Sequence, residues 1–151
     1  MSKLKRLYID TSVFGGVFDV EFQKISRAFF DQAAKNTFIL TTSELVRQEI
    51  QAAPKEVIAF FDNMLGACEL VDVTREAYEL QQAYFKAGIL SRRHFDDALH
   101  VAICTSSGCN GIISWNLKHI VHYQKIPKYN AVNVLKGYQA IFIHSPQEVC
   151  G

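Results

Sequence analysis

The chain has 151 residues, 49% of them apolar, and a formal charge of +1. Such a length suits one domain whose core needs no metal or disulfide staple. The balanced charge excludes a global polycation, so any nucleic-acid contact must come from a local patch.

In chain order, Met1-Ser2-Lys3-Leu4-Lys5-Arg6 leads directly into a short strand, without a secretory signal. No apolar run is long enough to span a bilayer, and the cytoplasm is the expected compartment. Leu7-Tyr8-Ile9 is apolar without alternation, the pattern of a parallel strand covered on both faces. It runs straight into Asp10. In open parallel sheets, reactive groups gather just past the carboxyl ends of strands, so Asp10 would be held rigidly and face a crevice. The plainer reading has Asp10 capping the loop that follows.

Gly15-Gly16 predicts a mobile turn. Phe22 to Lys35 predicts an amphipathic helix with Ile25, Ala28, Phe29 and Ala33 inward. Thr37 to Thr41 predicts the second strand. Ser43 is the expected N-cap of a helix through Ala52, and Pro54 opens another that closes at Gly66. Cys68 to Val73 predicts the third strand. Thr74 caps a helix to Gly88, and Ser91 caps the next, from Arg92 to Ser107, ended by Gly108. Gly111 to Ser114 predicts the fourth strand. A helical piece is expected over Leu117 to Tyr123 and another after Pro127. Tyr138 to Ile143 closes the set as a fifth strand. Strands alternating with helices imply parallel crossovers. The expected fold is one three-layer α/β/α domain over residues 1–151, with a central, mostly parallel, five-stranded sheet. The cysteines, Cys68, Cys104, Cys109 and Cys150, form no C-x-x-C pair and no zinc spacing. Cys104 is expected to pack inside its helix as a small hydrophobe.

Three further polar positions stand out beside Asp10. On the helix after Ser43, Leu45, Val46, Ile50 and Ala53 define the apolar side, and Glu49 falls in the middle of it. Glu44 projects the other way, into the first turn, where a carboxylate favours the helix dipole. An inward Glu49 is costly unless a cation or donors meet it, and a buried Arg or Lys is the plain alternative. On Phe95 to Cys104, apolar over most of its circumference, Asp96, Asp97 and His100 share one narrow stripe. That suggests a cleft wall, or a pairing of either acid with His100, Arg92 or Arg93. The helical wheel does not choose between the two acids. Ser114-Trp115-Asn116 ends the fourth strand, so Asn116 faces the same crevice or caps the following turn. Carboxylates that converge repel unless a cation joins them, and oxygen-only ligands suit Mg²⁺ or Mn²⁺. Metal-assisted phosphodiester hydrolysis is the chemistry that follows.

Four segments carry a resemblance to the PIN-domain nucleases, above all the VapC toxins of toxin–antitoxin pairs. They are Tyr8-Ile9-Asp10-Thr11-Ser12-Val13, Ser43-Glu44-Leu45-Val46-Arg47-Gln48-Glu49-Ile50, Asp97-Ala98-Leu99-His100-Val101-Ala102 and Ile112-Ile113-Ser114-Trp115-Asn116. In order and spacing they cover most of the chain. The resemblance implies a PIN-like fold and Mg²⁺- or Mn²⁺-dependent cleavage of RNA. It implies Asp10, Glu49 and Asp97 as metal ligands, choosing Asp97 over Asp96. Asn116 stands where family members usually carry Asp, which removes one negative charge from the site. Thr11, Ser12 and Ser114 are implied supports of metal-bound water. The resemblance also implies a homodimer and a small antitoxin partner bound over the cleft; no membrane association is expected from the apolar runs.

For substrate phosphates, the candidate contacts are Arg92, Arg93 and His94 at the start of the Asp97 helix, and Lys118 and His119 beyond Asn116. Tyr8, Phe14, Phe18 and Trp115 are candidates for base stacking or for the core. Phe18, Phe22, Phe29 and Phe30 are candidates for a contact surface or, equally, for the core. Two other classes remain open. One is a PIN-like binding module without catalysis, on account of Asn116. The other is a phosphatase of the haloacid-dehalogenase type, which has Asp-x-Asp after its first strand where this chain has Asp10-Thr11-Ser12.

Overall fold

The computed structural model describes residues 4–35 and 37–150. Met1, Ser2 and Lys3, on which the expectation of no secretory signal partly rests, lie outside the described residues.

Five short strands form the sheet: β1 (Arg6–Ile9), β2 (Ile39–Ser43), β3 (Glu69–Val71), β4 (Gly111–Ile113) and β5 (Phe142–His144). Their order is β3-β2-β1-β4-β5, and all four neighbouring pairs are parallel. β1 and β4 are wholly or almost wholly buried, which explains their unbroken apolar character. The helices are α1 (Thr11–Gly16), α2 (Gln23–Ala34), α3 (Glu44–Ile50), α4 (Lys55–Leu65), α5 (Arg75–Lys86), α6 (Phe95–Ser106), α7 (Ile126–Leu135) and α8 (Pro146–Cys150). α1 packs against α2, α3 and α4, and α2 against α8, while α5 packs against α6 and α7. These two groups flank the sheet, as a three-layer α/β/α domain requires.

Several expectations need correcting. Gly15-Gly16 is not a mobile turn but the end of α1, whose N-cap is Asp10. Gly16 is needed for close approach: a Cβ there would lie 2.5 Å from Ser26 Oγ and 2.9 Å from Trp115 Nε1. Ala28 faces solvent rather than the core. β2 and β5 start later than their apolar runs suggest, because the ladders begin only where β1 and β4 offer partners. Leu117 to Tyr123 forms turns rather than a helix. Ser91 has extended backbone but makes no side-chain cap; a 3-10 turn, Arg92–His94, comes between it and α6. The caps at Ser43 and Thr74 form as expected, accepting from Val46 N and Ala77 N.

β4 depends on a glycine at its first position. A Cβ on Gly111 would sit 2.5 Å from the Phe142 ring of β5. Gly111→Ala should therefore cost about 1–3 kcal/mol through overpacking. Thermal unfolding checks this, and Phe142→Ala in the same background should recover part of the loss.

Candidate functional site

The strand order reverses between β1 and β4. Open α/β sheets offer their ligand crevice at such a point, beyond the carboxyl ends of the strands. Asp10 leaves β1 there and Ser114 leaves β4. Asp10 N donates to Ile113 O (3.3 Å), which ties the two exits together. By contrast, a cavity of about 660 Å³ is lined by Leu4, Leu7, Phe38 and Phe142, and none of the acids lines it.

Asp10 is 4% exposed. Its Oδ1 accepts from Ser12 N (3.1 Å) and Ser12 Oγ (2.6 Å), and its Oδ2 accepts from Ser114 Oγ. Both serine hydroxyls are aimed by backbone donors: Trp115 N donates to Ser12 Oγ (2.9 Å) and Asn116 N to Ser114 Oγ (2.9 Å). Each hydroxyl therefore has its proton left for the carboxylate. Burial pushes the Asp10 carboxyl above its ordinary value, and His100, Ser114 and Ser12 offset this only in part. The capping reading of Asp10 and the crevice reading thus describe one residue in two roles. Ser12, at the position of the second phosphatase Asp, turns its hydroxyl back on Asp10.

Glu49 points inward from α3, as the wheel requires, and Glu44 stays outside, 3.5 Å from Arg47. Among the described residues, neither Arg nor Lys meets Glu49. Its Oε1 accepts from Thr11 Oγ1 and from His100 Nε2 at 2.7 Å. Burial pushes the Glu49 carboxyl up, but His100 and Thr11 outweigh it and hold it below its ordinary value. The reverse holds for His100: burial disfavours its charge, yet the Glu49 hydrogen bond and the charges of Asp10, Glu49 and Asp96 keep its pKa raised. Its Nδ1 meets Tyr8 OH (2.8 Å), which meets Ser43 Oγ (2.7 Å), the cap of α3. A buried polar chain thus runs from the α3 cap to the acids, and each member is satisfied within it.

The stripe on α6 divides. Asp96 faces Glu49, and burial together with the Glu49 charge pushes its carboxyl up. Asp97 turns to His94, whose Nδ1 lies 3.7 Å from Asp97 Oδ2. The His119 ring lies against that of His94, tilted by 30° with ring centres 3.7 Å apart. Among the described residues, His94, Asp97 and His119 place ligand atoms within 4.8 Å of one another. Asp10 and Glu49 are coupled through His100, whereas Asp97 sits with the two histidines. Sequence reasoning named the Asp96–Asp97–His100 stripe but missed that His100 meets Glu49. The i,i+4 spacing of Asp96 and His100 was the available signal.

Asn116 acts as a cap: its Oδ1 accepts from Lys118 N (3.2 Å) and His119 N (2.9 Å). Arg92, Arg93 and Lys118 are exposed. Arg92 donates to Gln82 Oε1 (2.7 Å) and covers the Phe85 ring. Tyr8 and Phe14 are fully buried and belong to the core, as do Phe29 and Phe30. Trp115 stacks on Phe22 with centres 4.3 Å apart, and its Nε1 donates to Ser26. Of the aromatic candidates, Phe18 keeps the most exposure, 38%.

No protein-family model matches the chain, and no curated protein matches it. Thirteen chains of solved structure match it in fold. One is in the crystal structure of VapBC2 from Rickettsia felis bound to a DNA fragment from their promoter, at 15% identity and a TM-score of 0.62. The match covers 92% of this chain and 98% of that one. The fold is therefore PIN-like over most of its length; at this identity the likeness concerns the fold alone.

Proposed function

We propose that the protein is a Mg²⁺- or Mn²⁺-dependent endoribonuclease and the toxin of a toxin–antitoxin pair. The observation that carries this reading is Asp10, a buried carboxylate at the β1/β4 switch point, coupled through His100 to Glu49. Burying like charges together is costly, and a hard divalent ion is what oxygen donors of this kind suit. Asp10, Glu49 and Asp97 are the assigned ligands. Bound there, such an ion polarises a phosphoryl oxygen and lowers the pKa of water.

The chain's own residues do the positioning. Ser12 and Ser114 orient Asp10, and Thr11 and His100 orient Glu49. The exposed Arg92, Arg93 and Lys118 meet RNA phosphates, helped by the N-terminal dipole of α6. Asn116 contributes by holding the turn that presents Lys118 and His119. The antitoxin and the homodimer belong to the same reading. Phe18 (38% exposed) and Val20 (90% exposed) offer apolar contact beside a recess of about 270 Å³ lined by Phe18, Ile50 and Val57.

Two observations favour a second reading, a binding module without catalysis. His100 already neutralises Glu49, and the Asn116 oxygen is committed to its cap. One experiment separates the two. RNA incubated with the protein should be cut in Mg²⁺ or Mn²⁺, left intact in EDTA, and cut again when metal is restored in excess. RNA that is retained but never cut, with or without metal, would establish the binding module.

A further inference from the structure

We propose that His94, Asp97 and His119 form a site for one divalent transition-metal ion of the zinc class. It stands apart from the nuclease reading, although Asp97 serves in both.

The separation of 3.7 Å between His94 Nδ1 and Asp97 Oδ2 is too long for a good hydrogen bond. Two metal–ligand bonds of about 2.0–2.2 Å span it comfortably. His119 supplies the third ligand within the same 4.8 Å. The Nδ1 of His119 is buried and has no hydrogen-bond partner. A ring nitrogen shielded from water without a partner calls for an explanation, and a metal ion supplies one. The site is also built in advance. Asn116 Oδ1 accepts from His119 N, and Tyr129 OH donates to His119 O (2.7 Å). His94 and Asp97 are fixed by the start of α6.

The donor set decides the ion. Two imidazoles with one carboxylate favour zinc-class metals, whereas Mg²⁺ takes oxygen ligands and keeps its water. Three protein ligands leave further coordination positions open to water or an anion.

The test is a Zn²⁺ titration of the metal-stripped full chain, followed calorimetrically in millimolar Mg²⁺. Wild type and Asp10→Asn should each bind one Zn²⁺ per chain with equal affinity. His94→Gln and His119→Gln should each weaken it by about tenfold or more. The side chain of His94 is 25% exposed, so its replacement leaves a folded protein, which circular dichroism verifies. Wild type that binds no Zn²⁺ overturns the proposal. So does binding that is unchanged in both histidine variants or is lost in Asp10→Asn. Because the readout is Zn²⁺ binding, a protein that never cuts RNA can still pass, and an active nuclease can still fail.

Discussion

Asp10→Asn should slow metal-dependent RNA cleavage on the order of 100-fold or more, since altering even a ligand's supporting partner costs 10–100-fold. It should do so without lowering the melting temperature. Asn and Asp are comparable N-caps, so the cap of α1 survives. Two donors face Asp10 Oδ1, and one faces Oδ2. The amide oxygen takes the pair at Oδ1 unchanged. The amide nitrogen then meets Ser114, which has to turn its hydroxyl. The sign of the charge effect follows from burial, which raises the folded pKa of Asp10 above its unfolded value. A raised carboxyl pKa destabilises the fold once pH exceeds the unfolded value, and the cost is absent below it. At neutral pH the neutral amide removes that cost, offsetting the Ser114 rearrangement. Initial cleavage rates and thermal melts on the same preparations check both halves. A variant that cuts like wild type would remove Asp10 from the chemistry. One that is inactive but unfolds far earlier would reduce Asp10 to a structural cap.

Most of the element order was legible because the strands contain apolar runs and α3 and α5 carry their own caps, whereas α1 and α8 were not anticipated and Leu117 to Tyr123 forms turns. Asp10 and Glu49 were legible for different reasons. Asp10 ends a strand covered on both faces, and Glu49 interrupts an apolar helix side. What the sequence did not disclose is who meets them. The partner of Glu49 comes from α6, fifty-one positions away, and no local period reports a contact of that range. The choice between Asp96 and Asp97 failed on the wheel for the same reason. Adjacent residues point about 100° apart, and only the packed neighbours show that one meets Glu49 and the other His94 and His119. Asn116 illustrates the opposite case. Its short-range capping role is local and was readable, because the acceptor and donors lie within three residues.

His100→Ala should be the more destructive change for the fold and should make the protein dependent on metal for stability. Among the described residues, His100 is the positive partner of the acidic cluster, and it touches Glu49, Tyr8 and, through charge, Asp10 and Asp96. Removing one partner of a buried pair typically costs 3–5 kcal/mol; Glu49 keeps 26% exposure, so about 3 kcal/mol is the expected loss. For a chain of this length that is roughly 6–12 °C in melting temperature. Three acids would then face one another with no cation among them. Mn²⁺ should therefore raise the melting temperature of His100→Ala by more than it raises that of wild type, because the ion takes over a task the imidazole performs in its absence. Adding Glu49→Gln should recover part of the loss without metal, since it removes the charge that His100 had been neutralising. If His100→Ala melts with wild type, or if Mn²⁺ moves both equally, the acids are not a coupled cluster. The same result would leave Glu49 as an isolated inward carboxylate and withdraw the physical reason for a cation at the end of β1.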